Sequence, residues 1–150
     1  MISQKAKYAL RALVEMARVD DGEALLINDI AERQRIPKKF LEQILLDLKH
    51  QGVVQSRRGR NGGYSLLKDP HDITIGQIMR IIDGPQAPLP CLSRMAYRRC
   101  DDCESEESCG IRRVFAKAYD ATAHVLDTTT LHDTLMLEGN QASPLMRALA

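Results

Sequence analysis

The chain has 150 residues, a formal net charge of +1, and 44% hydrophobic against 27% charged residues, the balance of a soluble globular protein with room for about one domain. With no Trp, two Phe and four Tyr, its core must be aliphatic. No apolar run approaches the ~20 residues that cross a bilayer, and Lys5, Lys7, Arg11 and Glu15 interrupt the N-terminal apolar pattern, which argues against a signal peptide; the expectation is a cytoplasmic protein with no membrane partner.

Taken in order, Ala6, Ala9, Leu10, Leu13, Val14 and Ala17 recur at helical spacing and predict a helix over 3–19, with Ser3 as its N-cap and the sequence DDGE at 20–23 as its breaker. Asn28 is placed to cap a short helix from Asp29 to Arg35. Ile36-Pro37 then forces a turn, because the residue before proline avoids the helical region. A longer helix follows from Lys38 to Gln51, with Leu41, Ile44, Leu45 and Leu48 on one stripe and Gly52 just past its end. A short helix, a tight turn and a longer helix make the helix-turn-helix pattern.

Behind it stands QSRRGRNGGY, residues 55–64, between the apolar pairs Val53-Val54 and Leu66-Leu67. A phosphate-binding Walker loop needs Gly-Lys-Ser/Thr opening a helix, whereas Gly63 here leads through Tyr64 into another strand-like run. The segment reads as a β-hairpin, hence a wing, with glycines making the turn and arginines facing phosphates or a narrow minor groove. The charge distribution agrees. Residues 33–60 hold 8 Lys and Arg against 2 Asp and Glu, within a first half (1–70) of 13 against 9 and a second half (71–150) of 8 against 11. Such a window is either an anion-binding face or a solvated surface.

Further on, a helix is predicted from Thr74 to Ile82, stopped by Asp83-Gly84-Pro85. A proline-containing loop spans 84–110, and a long amphipathic helix runs from Ile111 to Asp127. Val114, Phe115, Ala118, Ala121 and Val125 form a stripe too wide to leave exposed on a small domain, so a homodimer is expected. Thr128-Thr129-Thr130 interrupts this helix, Leu131 to Leu137 forms a last short turn, and a loose tail is expected from Glu138. The fold class is mainly α with a small β-hairpin, a winged helix-turn-helix plus a long C-terminal dimerisation helix. The domains are 1–84 for DNA binding, 85–110 for a cysteine loop, 111–137 for the dimerisation helix and 138–150 for the tail.

Candidate site residues fall into two groups. On the second helix of the motif, Lys38 and Lys39 suit phosphates, Gln43 can bond adenine and Glu42 can accept from cytosine. Phe40 either packs on a thymine methyl or belongs to the core. On the wing, Arg57, Arg58 and Arg60 complete the interface with double-stranded DNA. The second group is Cys91, Cys100, Cys103 and Cys109, all within one 19-residue span and none elsewhere. In a cytoplasmic protein a disulfide framework is disfavoured, leaving a metal or cluster, a redox thiol pair or free cysteines. Asp101, Asp102, Glu104, Glu106 and Glu107 surround them, a field that disfavours a bare thiolate but suits a bound cation. His50, His71, His124 and His132 share no motif with each other or with the cysteines, so no catalytic constellation is visible and an enzyme is not expected.

Together, Lys5-Ala6-Lys7-Tyr8-Ala9, Ile36-Pro37, Phe40-Leu41-Glu42-Gln43-Ile44-Leu45, Gly52-Val53-Val54, Arg57-Arg58-Gly59 with Gly62-Gly63-Tyr64-Ser65-Leu66, the cysteine loop, and Leu126-Asp127 with Thr130-Leu131 resemble the Rrf family of bacterial winged-helix regulators, the IscR/NsrR/RirA type, over roughly residues 2–135. The resemblance implies a homodimer joined through the long helix, a palindromic operator, and an iron–sulphur cluster (2Fe-2S or 4Fe-4S) on cysteines of the loop. Cys91, Cys103 and Cys109 match the family's three cysteines, and Cys100 is an additional thiol. Arg112 stands where the IscR branch has a histidine, so Cys100 is the substitute fourth ligand. Arg60-Asn61 replaces a common Pro-Gly in the wing. The competing reading is a zinc-binding or thiol-redox protein without a cluster.

Overall fold

The computed structural model describes residues 2–19, 22–60 and 62–139, with only the backbone described at Glu138 and Gly139. Six α-helices and one hairpin lie among them: α1 (Gln4–Ala17), α2 (Ile27–Gln34), α3 (Lys38–His50), β1 (Val54–Arg57), β2 (Gly63–Leu66), α4 (Ile75–Asp83), α5 (Gly110–Thr128) and α6 (Leu131–Gly139). The class expected from the sequence is the class found.

Local rules account for most boundaries. Ser3 caps α1 by accepting from the Ala6 amide, and Thr74 caps α4 by accepting from the Gln77 amide. Gly52 lies past α3 at φ +67°, a left-handed position that costs glycine little. The predicted Asn28 cap is not made: α2 begins at Ile27 with Leu26 as its N-cap and no side-chain bond. The cause is tertiary. Leu25 exchanges both backbone hydrogen bonds with Tyr64 of β2, at 2.8 Å each, which delivers the chain in extended form and lets the Leu26 carbonyl receive the Asp29 and Ile30 amides. The end of α2 is unusual in another way. Arg35 takes the left-handed conformation (φ 51°, ψ 47°), the Ile36 amide bonds back to the Ala31 carbonyl, and Ile36 is buried. This is a Schellman closure with arginine where glycine is usual.

The threonine run ends α5 as expected. Thr128 and Thr129 hydroxyls donate back to carbonyls of the preceding turn, and Thr130 exchanges hydrogen bonds with Asp133 to start α6. That last helix reaches Gly139, beyond the short turn expected to stop at Leu137. The loose tail expected from Glu138 lies outside the described residues from 140 onward. The loop before α5 also contains a 3-10 turn at Pro90–Leu92, which no sequence pattern marked.

The core lies between α1, α2, α3, α4 and the hairpin. Leu13, Ile30, Leu41, Ile44, Leu45 and Ile78 are all 0% exposed. Leu131, at the start of α6, is buried with them. By contrast α5 contains no buried residue.

Candidate functional site

The α3 stripe Leu41, Ile44, Leu45, Leu48 is buried against the core, which turns Lys38, Lys39, Glu42 and Gln43 to the outside of the first two turns. The geometry refines two of these residues. Gln43 donates from its amide to Asp47 Oδ1 (3.1 Å), and Asp47 in turn takes Lys5 Nζ at 2.7 Å. The carboxyl of Asp47 is held below its ordinary value, first by the Lys5 hydrogen bond and then by that from Gln43. Gln43 thus starts from a fixed rotamer, with its carbonyl and one N–H still available. Phe40 is 37% exposed and edge-on to Tyr8 of α1, with ring centroids 5.7 Å apart, so it is not a fully buried core residue.

The wing pairs antiparallel, Val54 with Leu66 through Arg57 with Gly63. Its glycines serve the chain's own geometry. A Cβ on Gly62 would stand 2.6 Å from the Arg57 carbonyl, and one on Gly63 (φ +143°) would run into the Leu25 carbonyl that pairs with β2. That close approach, together with the Gly62 amide bonding Gly59 at 2.9 Å, answers why three glycines sit here. The loop exposes Arg57, Arg58 and Arg60. Lys49 of α3 donates to Ser56 of β1 at 2.7 Å, fixing the wing relative to the helix. A crevice of about 540 Å³ opens between the wing and α2, bordered by Arg33, Arg57 and Arg60 facing Glu23 and Asp29.

The four cysteines line a single cavity of about 430 Å³ at the N-terminus of α5. Cys91 comes from the 3-10 turn and is buried; Cys100 and Cys103 flank the turn at Asp101-Asp102, where the Cys103 amide bonds the Cys100 carbonyl (3.2 Å). Cys109 is the N-cap of α5, its Sγ accepting from the Arg112 amide at 3.4 Å. A hydrogen bond with Cys91 is the main cause that pushes the Cys100 thiol up from its ordinary value, followed by desolvation and the charges of Cys91, Cys103 and Asp102. Among the described residues no group of three or more His, Cys, Asp or Glu is gathered tightly enough to grip a bare metal ion. The donor set itself fits a cluster: soft sulphur ligands, four of them, around one space, next to amides at a helix start.

This cavity is connected to the α1–α4 half through α5. Near its other end Arg80 Nη1 of α4 meets Asp127 Oδ1 at 2.7 Å, and Gly76 leaves the room for it, since a Cβ there would fall on the same carboxylate. The Ile75 amide bonds the Thr129 carbonyl and the Leu131 amide bonds the Ile73 carbonyl, both at 2.9 Å. Arg94, within the cysteine loop between Cys91 and Cys100, reaches Asp120 in mid-helix at 3.2 Å.

A family model described as an iron-dependent transcriptional regulator, Rrf2, matches residues 2–136. The chain belongs to the Rrf2 family. An rrf2-like HTH-type transcriptional regulator of Rhodobacter capsulatus is 54% identical over 149 residues, covering 97% of this chain and 99% of that one. Among solved structures, CymR, the global cysteine regulator of B. subtilis, superposes with a TM-score of 0.74 at 32% identity, over 89% of this chain and 95% of its own. IscR from T. potens gives 0.72 at 29% identity, over 98% and 96%. This Rrf2 protein is therefore a DNA-binding transcriptional regulator, and no described helix is long and apolar enough to cross a membrane.

Sequence patterns missed the polar bolt beneath the motif. Glu15 of α1 is buried and holds Arg33 Nη1 (3.1 Å) and Gln34 Nε2 (2.8 Å), while Arg11 Nε holds Gln34 Oε1 at 3.1 Å. A glutamate within an apolar helix pattern was the available sign. Arg33, at the edge of the wing crevice, was likewise unmarked.

Proposed function

We propose that this Rrf2 protein is a cytoplasmic homodimeric regulator, not an enzyme, whose affinity for a palindromic operator is set by an iron–sulphur cluster, 2Fe-2S or 4Fe-4S, on Cys91, Cys100, Cys103 and Cys109. The observation that carries the reading is the meeting of all four thiols in one cavity at the start of a helix whose far end is bonded to the DNA-binding half. When bound, the cluster would supply iron–thiolate bonds and an electron-accepting centre sensitive to iron or redox state or nitric oxide.

The chain's own residues would do the rest. Gathering of the thiols orders the loop 91–109 against the N-cap of α5, and Arg94 carries that order to Asp120. The Arg80–Asp127 pair and the Thr129 and Leu131 backbone bonds then orient α5 on α4, and through α4 on the core. Ile111, Val114, Ala118, Ala121 and Val125 follow one another at alternating steps of three and four, the seam of a coiled coil, and Ile111, Val114 and Val125 are 59–67% exposed. Two such helices pairing about a two-fold axis would fix the separation of two α3 helices on one face of DNA. Lys38, Lys39, Arg57, Arg58 and Arg60 would neutralise phosphates or enter the minor groove. Phe40, Glu42 and Gln43 would meet base edges, each good bidentate contact being worth about 1–3 kcal/mol of discrimination.

Anaerobic purification with visible spectroscopy and iron and sulphide analysis tests the cofactor. A brown, sulphide-containing protein is expected; a colourless zinc-loaded or disulfide-linked one would favour the zinc or thiol reading. Cys91→Ser, Cys103→Ser and Cys109→Ser should each abolish loading, and Cys100→Ser should leave a more labile cluster. For DNA, the salt dependence of binding should be steep, each neutralised phosphate adding about −0.9 to the log–log slope. Gln43→Ala should change base preference, and Arg58→Ala should weaken binding and relax the preference for a narrow minor groove.

A further inference from the structure

The cysteine cavity is lined by one cation, Arg112, among acidic and thiol groups that include Asp102 and Glu104. It stands three residues beyond Cys109 on the first turn of α5, so the two side chains share a face of the helix. Its Nε is sealed from solvent and has no hydrogen-bond partner, while the side chain as a whole is 36% exposed. The carboxylate of Glu106 is 4.0 Å away, close enough for charge attraction and too far for a hydrogen bond. Neighbouring arginines are engaged elsewhere: Arg99 donates to the carbonyls of Cys103 and Glu104, Arg113 to that of Glu107, and Arg94 to Asp120.

A buried donor with no acceptor carries its desolvation penalty uncompensated, and such groups in native structures call for an explanation. Arg112 also lines the cavity that holds four sulphur acceptors. Resting on the cluster reading above, we infer that Arg112 is a tuning residue for the group on the four cysteines, donating its Nε–H to a cluster or cysteine sulphur and raising the reduction potential. Ligation is excluded by chemistry, since a guanidinium stays protonated and offers no lone pair. The sign follows from charge. Four thiolates and two lining carboxylates make the site negative, reduction adds one more electron with no bond broken, and a fixed positive charge favours the state that has gained it. The arginine standing where the IscR branch has a histidine is then a charge in place of a ligand.

The test uses the full chain, loaded anaerobically with ferrous iron and sulphide and titrated with dithionite against mediator dyes. Arg112→Gln should load iron and sulphide as the unaltered chain does, and its midpoint should fall by at least the equivalent of a tenfold change in the reduction equilibrium, 59 mV for a one-electron couple. Arg112→Lys, which keeps the charge and loses the planar donor, should fall between the two. An unchanged or raised midpoint in a loaded Arg112→Gln protein overturns the inference and leaves the cluster reading standing. Should Arg112→Gln fail to hold the cluster, Arg112→Lys decides by the same measurement: a lowered midpoint supports the role and an unchanged one overturns it. If the unaltered chain takes up no iron and sulphide, both the reading and the inference fall.

Discussion

The two halves of the molecule are built on opposite principles. From α1 to α4 the chain encloses a dense aliphatic core and closes its polar exceptions internally, as Glu15 is closed by Arg33 and Gln34. From the cysteine loop through α5 there is almost no interior: nineteen helical residues contain none that is buried, and the cavity at the start of the helix is lined by sulphur and carboxylate. Burial of apolar area is the main source of folding free energy, so this core, closed by Leu131 of α6, carries most of the stability. The second has no such core of its own. Under the proposed function, that division separates the part that holds its shape from the part that responds.

The comparison can be broken most severely in the core. Leu45→Ala removes a fully buried side chain beneath α3 and should cost about 2–5 kcal/mol, seen as a large drop in the urea midpoint. DNA binding at 37 °C would go with it. A loss under about 1 kcal/mol would mean that the first half is less tightly built than its burial indicates.

In the second half, Phe115→Asp should convert the protein to monomers in sedimentation and eliminate tight binding to a two-half-site operator, with stability falling by what dimer linkage contributes. Phe115 is 43% exposed beside the α5 seam. A persisting dimer would move the interface off α5.

Gly76→Ala addresses the joint between the halves. The new methyl must displace the Asp127 carboxylate from Arg80, an overpacking expected to cost about 1–3 kcal/mol. More tellingly, it should reduce the difference in DNA affinity between cluster-loaded and cluster-free protein. Equal differences in variant and parent would mean that the signal bypasses this contact.

The smallest effect expected is a gain. Arg35→Gly relieves a left-handed arginine between α2 and α3 and should stabilise the fold by up to about 1 kcal/mol, because the left-handed region costs a non-glycine residue roughly 1–2 kcal/mol and glycine gives part of that back in unfolded-state entropy. A destabilised variant would show that the Arg35 side chain contributes more than its backbone costs.

What the sequence by itself determined was whatever short-range rules govern. Apolar periodicity set α1, α3 and α5; Ser3, Thr74, Gly52 and Gly84 set caps and stops; Pro37 set the turn of the motif; and the clustering of cysteines named the second site. What only the tertiary structure decided was whatever depends on chain segments far apart. The Leu25–Tyr64 bridge moved the start of α2 and gave Gly63 its reason, Glu15 proved to be a buried anchor, and Gly76 proved to be a seat for Asp127. That Arg112 lines the cavity of Cys91, Cys100, Cys103 and Cys109, with its Nε unpartnered, became visible only in the folded chain. Local propensities act over three or four residues and can be read along the chain. Burial, desolvation and the pairing of polar groups are properties of a volume, and they take their values only when the chain has closed around it.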